Sequence, residues 1–287
     1  MLYAFDGTGN RDNVDVSRDT NVVKFRDAYD GQNLYYKGIG TRWGVPGAIL
    51  GGTTGAGGRG RVSEAYEQFK FFVAEGDAVV DIIGFSRGAA LALHFANEVA
   101  QHPGSPAVRF LGIWDCVPSF GAASIPKNIG WNLGLPANVE HCFHALALDE
   151  RRHTFRLHRP KPPAGATPGS LCEVWFAGVH SDVGGGNKNI PLSSIALQWM
   201  LLNAQRCGLP IKPKAIRDNA SQMVPGTISS GGPRYDLVKN RFRRVRPEDQ
   251  VHASVAFRVD KKKCNNPPVG VMVVDDTGQR LRDFEHV

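Results

Sequence analysis

A serine flanked by glycines occupies residues 84–88, Gly-Phe-Ser-Arg-Gly, directly after the apolar, β-branched run 79–83. The alanine-rich stretch that follows has helical spacing, so the motif is predicted to lie on a strand-to-helix turn. Such a nucleophile elbow has a strained backbone and needs small residues two positions before and after the serine, which the two glycines supply. Ser86 is therefore the candidate nucleophile, and the backbone amide of Arg87 would face a developing oxyanion at the positive end of the helix.

An acid and a histidine follow two further apolar runs. Asp115 lies near the end of a strand predicted over 108–117, and His180 follows a strand predicted over 171–179. Functional groups of open α/β sheets gather at the carboxyl ends of the strands, so both residues should reach the edge that carries Ser86. The chain order Ser, Asp, His is that of α/β-hydrolases, and the sequence predicts a triad of nucleophile, orienting acid and general base.

Two alternatives for the acid and the base stay open. Asp182 is the alternative acid, although a residue only two positions beyond His180 rarely reaches its far nitrogen, and it is equally suited to capping the glycine-rich turn that follows. His252 is the alternative base, because the histidine of many hydrolases lies late in the chain.

The first strand also runs into a glycine turn, over residues 2–10. Phosphatases that begin with D-x-D-G-T carry their nucleophile where this chain has Ala4, so that class is excluded. We expect instead that the amide of Gly7 or Thr8 completes the oxyanion hole. A plain turn capped by Asp6 is the alternative.

No metal or other cofactor is predicted. His141 and His144 lie three apart in a stretch, 141–152, that is predicted to be helical, but they lack a nearby third ligand. The five cysteines are odd in number and never in C-x-x-C spacing, which argues against a disulfide framework and a zinc site.

The composition fits one α/β domain over residues 1–287. The chain is 42% hydrophobic but has no run of eighteen apolar residues, and it opens on an apolar strand without a basic region or cleavage site. We therefore expect synthesis in the cytoplasm without a signal peptide. The formal net charge is +7, part of it concentrated in 241–246 and 261–263. These patches favour an anionic membrane or an acidic partner protein over nucleic acid, for which no motif is present, and a merely solvated face is the alternative.

The remaining elements complete an alternation of strands and helices that predicts a mostly parallel sheet flanked by helices. The pattern is typical of an α/β-hydrolase that lacks the first strands of the standard fold. Residues 40–60 are a glycine-rich loop, interpreted as a lid or as a surface insertion, and 212–287 are expected to form a mostly irregular extension. Helices are predicted over 19–31, 62–74, the stretch after Ser86 and 191–207, and a strand over 33–38.

Five segments together resemble one known family. They are residues 5–10, 84–89, 114–115, 145–152 and 178–186, the last reading Gly-Val-His-Ser-Asp-Val-Gly-Gly-Gly. In these segments the chain is similar to the phospholipase effector catalytic domain of bacterial type VI secretion systems, a family first catalogued as a domain of unknown function.

The resemblance implies a triad on Ser86, Asp115 and His180 and a metal-free esterase that releases fatty acid from glycerophospholipids. It also implies an antibacterial effector that is made in the bacterial cytoplasm, handled by secretion machinery, restrained by an immunity protein and delivered to the periplasm or membrane of a target cell. Two other readings stay open, a carboxylesterase acting on soluble esters and a non-catalytic binding protein with a hydrolase fold.

Overall fold

Eight strands of the central sheet run parallel, so their carboxyl ends meet at one edge. The computed structural model describes residues 1–12, 15–39, 56–104, 106–118, 130–223, 241–257 and 264–285. The sheet has nine strands in the order β2-β1-β3-β4-β5-β6-β7-β8-β9, of which β9 is antiparallel. The strands are β1 (Leu2–Phe5), β2 (Asn33–Tyr36), β3 (Val80–Phe85), β4 (Val108–Trp114), β5 (Val139–Ala147), β6 (Leu171–Phe176), β7 (Gln250–His252), β8 (Met272–Val274) and β9 (Arg280–Asp283).

Helices cover both faces of the sheet. They are α1 (Asn21–Ala28), α2 (Ala56–Ala74), α3 (Arg87–Gln101), α4 (His180–Gly184), α5 (Ile190–Arg206) and α6 (Pro213–Ala220), with short 3₁₀ helices at Val16–Arg18 and Ala253–Phe257. One buried cluster joins α1 and α5 to the sheet, and a second joins α2 and α3 to the opposite face. The α/β-hydrolase prediction is confirmed in this layered architecture. None of the helices in the described ranges is long and apolar enough to cross a membrane.

Strand β3 shows why the apolar runs of the sequence are continuous. Val80 and Ile82 pack into the cluster beneath α2 and α3, whereas Ile83 and Phe85 pack into the cluster beneath α1 and α5. Successive side chains of a strand point to opposite faces, and a parallel sheet covered on both sides buries both sets. The strand therefore ends, fully buried, directly before Ser86.

The helix predicted over 141–152 is wrong, because the chain there forms the central strand β5, paired with β4 and β6. His141 and His144 are three apart, which fits one helix face, but in the strand they fall on opposite faces. A short apolar run that is buried on both faces does not distinguish a strand from a helix by periodicity alone, and the tertiary context decides.

Helix α2 begins at Ala56, six residues before the predicted start. A Cβ at Gly58 would lie 3.0–3.2 Å from side-chain atoms of Trp131, Leu91 and Ile39, so this glycine lets the first turns of α2 approach its neighbours closely. Residues 56–60 of the predicted glycine-rich loop are thus helical, and the lid interpretation of 40–55 lies outside the described residues.

The extension from residue 212 is more regular than predicted. It supplies α6 and the strands β7, β8 and β9, which continue the sheet beyond β6. Asp249 joins this extension to the body of the sheet, because its carboxylate accepts hydrogen bonds from the indole of Trp175 and the guanidinium of Arg159. The assignment of all 287 residues to one domain stays a prediction.

Candidate active site

Ser86 lies on a sharp turn between β3 and α3. Its backbone has φ 59° and ψ −123°, a strained conformation for a residue other than glycine. A Cβ at Gly84 would lie 2.6 Å from the carbonyl oxygen of Gly88, and a Cβ at Gly88 would lie 2.2 Å from the carbonyl oxygen of Phe5. Both flanking glycines are therefore required sterically, as the elbow interpretation predicts.

A continuous hydrogen-bonded chain links the three predicted triad residues. The hydroxyl of Ser86 lies 2.8 Å from Nε2 of His180, and Nδ1 of the same ring lies 2.6 Å from Oδ2 of Asp115. Ser86 and His180 are 7% and 6% exposed and Asp115 is fully buried, so all three side chains are largely shielded from water. The structure brings together all three residues from the ends of separate strands.

His180 is the first residue of α4 and is held on three sides. Its ring packs against those of Phe85 and Phe155, with centroids 4.6 and 4.8 Å away. Its backbone N–H donates to Oε2 of the buried Glu150 at 3.2 Å. A Cβ at Gly184 would lie 2.0 Å from the Phe85 ring, so the last residue of α4 must be small for Phe85 to reach the imidazole. These contacts fix the plane of the imidazole toward Ser86.

Asp115 follows β4 with a positive φ of 41°. Its Oδ1 accepts a hydrogen bond from the backbone N–H of Ala147 at 2.9 Å. Burial by itself would raise the pKa of this carboxyl, but the guanidinium of Arg243 and the hydrogen bond to His180 outweigh burial and hold the pKa well below its ordinary value. Asp115 is consequently ionised and able to stabilise a protonated imidazole.

Arg243 is the residue of this site that the sequence analysis did not identify. Its two terminal nitrogens donate to the two carboxylate oxygens of Asp115, at 2.5 and 3.1 Å. They also donate to the carbonyl oxygens of Ala147 and Phe155. The residue belongs to the basic run 241–246, which was interpreted only as a surface patch, and no local pattern distinguishes the one arginine that turns inward.

The two alternatives to the triad residues lie in other networks. Asp182 caps the start of α4 by accepting from the N–H of Val179, and its other oxygen accepts from Asn187 and Asn189. Burial raises the pKa of Asp182. His252 stacks on Phe176 and has its two ring nitrogens beside Ser254 and Asp276. Neither residue is bonded to the chain that ends on Ser86.

The loop after β1 passes directly beside the nucleophile. A Cβ at Gly7 would lie 3.2 Å from the Cβ of Ser86. The N–H of Gly7 donates to Oδ1 of Asp6 at 2.7 Å, so the structure commits one of the two predicted oxyanion donors to a different acceptor. The side-chain hydroxyl of Thr8 is buried without a hydrogen-bond partner. Thr8, with Arg87 at the first position of α3, is left as the candidate donor pair on the two sides of Ser86.

Asp6 supports this loop from beneath. Its buried carboxylate accepts hydrogen bonds from the hydroxyl groups of Tyr35 and Thr20 in addition to the N–H of Gly7. Burial raises the pKa of Asp6 to about 6, although these hydrogen bonds favour the charged form. Asp6 therefore caps the turn after β1, which is the alternative role that the sequence predicts for it.

Of the two histidines of β5, His144 is buried in the core and His141 is exposed. Nε2 of His144 accepts a hydrogen bond from the N–H of Cys116, and its Nδ1 lies 2.9 Å from Glu173. Among the described residues no group of three His, Cys, Asp or Glu side chains is arranged to hold a metal ion. All five cysteines lie in the described ranges, and none forms a disulfide.

A pocket of about 440 Å³ lies beside α3, since its lining residues Trp131 and Gly134 contact His94 and Asn97 of that helix. It is lined by Trp131, Leu133, Gly134, His158, Arg159 and Lys161. The backbone N–H of His158 donates to the carbonyl of Cys116, the residue after Asp115, but none of Ser86, Asp115 and His180 lines the pocket.

Comparison with known proteins adds a family to this geometry. The model of the family described as T6SS, Phospholipase effector Tle1-like, catalytic domain, matches residues 1–104 and 92–203. A stretch of 57 residues is 44% identical to the uncharacterized protein YEL023C of Saccharomyces cerevisiae, and covers 18% of this chain and 8% of that protein.

Two solved structures are similar to the chain. The crystal structure of an uncharacterized protein from Pseudomonas aeruginosa is 22% identical, with a TM-score of 0.51 over 77% of this chain and 50% of that chain. The Tle1 effector bound to the VgrG spike of the type 6 secretion system is 23% identical, with a TM-score of 0.44 over 64% of this chain and 50% of that chain. The chain thus spans about half the length of both structures, and these likenesses concern the fold alone. Because the family model spans more than half of the residues, the chain belongs to the Tle1-like phospholipase effector catalytic-domain family of type VI secretion systems.

Proposed function

We propose that this chain is a serine hydrolase that cleaves the carboxylic esters of glycerophospholipids through an acyl-enzyme on Ser86. The observation that carries the proposal is the hydrogen-bonded chain Ser86–His180–Asp115, with links of 2.8 and 2.6 Å, at the end of an elbow. A serine hydroxyl is a weak nucleophile by itself and becomes reactive when an oriented base removes its proton. Membership of a phospholipase effector family supports a lipid ester as the substrate.

In the first half of the reaction, Nε2 of His180 takes the proton of Ser86 while Oγ attacks the ester carbonyl carbon. The oxyanion that forms accepts hydrogen bonds from the backbone N–H groups of Arg87 and Thr8. The imidazolium, stabilised by Asp115, then protonates the departing alcohol, a lysophospholipid, and leaves the fatty acyl group on Ser86. A water molecule, deprotonated by the same imidazole, releases the fatty acid and restores the serine.

The test is hydrolysis of a panel of phospholipids, followed by mass spectrometry of the products. We expect equimolar fatty acid and lysophospholipid from the native protein, and a loss of several orders of magnitude for Ser86→Ala with unchanged folding, because only one oxygen is removed. Turnover of short soluble esters without any of phospholipid would assign the chain as a carboxylesterase instead. Unchanged activity in the variant would end the proposal.

The proposed setting is type VI secretion. The Tle1 effector was solved in complex with the VgrG spike, and we infer by family membership that this chain is loaded from the bacterial cytoplasm onto such a spike, for delivery to a target-cell periplasm or membrane. An immunity protein in the producing cell is part of the same inference. Copurification with a VgrG protein tests the first part, and failure to form a complex contradicts it.

A further inference from the structure

A basic surface lies directly outside the triad. Two segments form it: the turn that follows β5, and residues 241–244. We name this surface the basic rim and define it as Arg151, Arg152, Arg156, Arg241, Phe242 and Arg244.

The two segments of the basic rim are held together by specific contacts. The N–H of Arg241 donates to the carbonyl of Arg151 at 3.1 Å. The guanidinium of Arg151 lies over the ring of Phe242, 5.1 Å from its centroid. Phe242 is nevertheless 36% exposed, a large apolar side chain among arginines at the protein surface. The rim is therefore a defined surface and not a set of unrelated charges.

Arg243 fixes the rim beside the reactive serine. Its side chain turns inward to Asp115 and to the carbonyl of Phe155, so its chain neighbours Phe242 and Arg244 remain exposed outside the site. On the other segment, the guanidinium of Arg152 lies 3.4 Å from the centroid of Phe155, whose ring packs on His180. The rim and the triad are thus connected through two side chains, and both lie at the carboxyl edge of the sheet.

Three of the five arginines of the rim are exposed at the protein surface. Glu150 pairs with Arg152 at 2.7 Å, but it is 1% exposed and its oxygens are also engaged by the backbone N–H groups of residues 151, 152 and 180. Arg156, Arg241 and Arg244 are exposed. Such a cluster attracts phosphate groups, and each basic side chain near an anionic bilayer strengthens binding about fivefold.

We propose that the basic rim docks the enzyme on an anionic phospholipid surface, with Phe242 inserted among the headgroups. The inference rests on the proposed function, because a hydrolase of bilayer lipids must bring its serine to the interface. An apolar ring surrounded by arginines fits the boundary between headgroups and acyl chains, where amphipathic surfaces bind through apolar burial and electrostatic attraction together. Membership of a phospholipase effector family favours a phospholipid surface over a nucleic acid or an acidic protein as the occupant.

The test measures vesicle binding without turnover. The full chain carrying Ser86→Ala is mixed with phosphatidylcholine vesicles with and without phosphatidylglycerol, and the bound fraction is read by flotation. We expect binding that requires phosphatidylglycerol and weakens with added NaCl, a loss of at least tenfold for Arg241→Gln with Arg244→Gln, and a further loss for Phe242→Ser.

The matched control removes the same charge elsewhere. Lys214→Gln with Arg217→Gln, on the exposed face of α6, should change vesicle binding less than twofold. Equal losses in the two double variants, or no binding to anionic vesicles, would overturn the proposal. Thermal unfolding of each variant shows that its fold is intact. Since binding is measured on an inactive protein, the result does not depend on whether the proposed reaction is correct.

Discussion

Arg243 gives the acid of the proposed triad an electrostatic environment that differs from a simple Ser-His-Asp arrangement. A guanidinium bonded to both oxygens keeps Asp115 ionised in a fully buried position, and it also shares the negative charge that would otherwise act on the imidazole alone. Arg243 is therefore a positioning residue, which acts on the serine through Asp115 and His180.

Replacing Arg243 by methionine should lower kcat by about 10- to 100-fold, the usual effect of removing a buried partner behind a functional group. The acid limb of the pH–rate profile should also move to higher pH, because burial raises the pKa of Asp115 once its guanidinium partner is gone. The measurement is kcat and kcat/KM against pH. Arg246→Met, an exposed arginine of the same run, is the control and should leave the profile unmoved. A loss of kcat without any displacement of the acid limb would make Arg243 merely structural.

The raised pKa of Asp6 predicts that the free energy of unfolding depends on pH. Its pKa is raised by burial to about 6, above the ordinary value of 3.8, so the folded state binds the proton more tightly than the unfolded chain does. This contribution to stability is present in full below the ordinary pKa and is lost as the pH rises through the folded value. A difference of about two pKa units corresponds to about 3 kcal/mol.

The native protein should therefore lose up to about 3 kcal/mol relative to Asp6→Asn between about pH 4 and pH 7. Urea unfolding of both proteins across this pH range measures the difference between their free energies of unfolding. The contributions of the other titrating groups are the same in both proteins and cancel in this difference. Asp12→Asn, at an exposed acid, should follow the native curve. Parallel curves for the native protein and Asp6→Asn would show that burial does not raise this pKa.

At the scale of the elements, the site depends on how closely α3 approaches β1. The carbonyl of Phe5 lies where a Cβ at Gly88 would be, so the helix can start beside the nucleophile only with glycine at this position. Gly88→Ala should lower the free energy of unfolding by about 2 kcal/mol or more, since backbone must move.

The matched substitution is Gly60→Ala in α2, where no atom lies within 4 Å of the added carbon. Alanine is the better helix former, so this variant should gain about 0.5–1 kcal/mol. Denaturant unfolding measures whether Gly88→Ala lowers the free energy of unfolding and whether Gly60→Ala raises it. A Gly88→Ala protein as stable as the native one would contradict the packing described for the elbow.

The elements also explain which features were predictable from the sequence. Ser86, Asp115 and His180 each follow a strand. Because the carboxyl ends of parallel strands meet at one edge of the sheet, their proximity could be predicted from the sequence. Strand β5 was misassigned because its short apolar run has no decisive period. Arg243 lies 128 residues beyond its partner, and its role depends on the path of the extension, which no local signal encodes.

For the whole molecule, the described part of the extension after residue 212 continues the central sheet. It completes one side of the sheet and supplies Arg243, which is bonded to Asp115 of the proposed triad. Asp249 is one of its polar connections to the rest of the chain, since it pairs with Arg159 and accepts a hydrogen bond from the indole N–H of Trp175. We therefore expect the extension and the body to unfold in one transition.

Asp249→Ala should lower the free energy of unfolding by about 2 kcal/mol, because it leaves the buried indole N–H of Trp175 without its acceptor and leaves Arg159 paired with Glu173 alone. Tryptophan fluorescence and far-UV circular dichroism should report coincident urea transitions. Asp283→Ala, at an exposed ion pair with Arg280, should cost about 0.5 kcal/mol or less. Two separated transitions in the native protein would contradict this account of the extension.

The most direct test of the central claim, an activated Ser86, is covalent labelling by a fluorophosphonate with the modified peptide identified by mass spectrometry. The account predicts a single adduct on Ser86, abolished by His180→Ala, slowed by Asp115→Asn and retained in His252→Gln. Labelling that persists without His180, or that disappears when His252 is replaced, would contradict it.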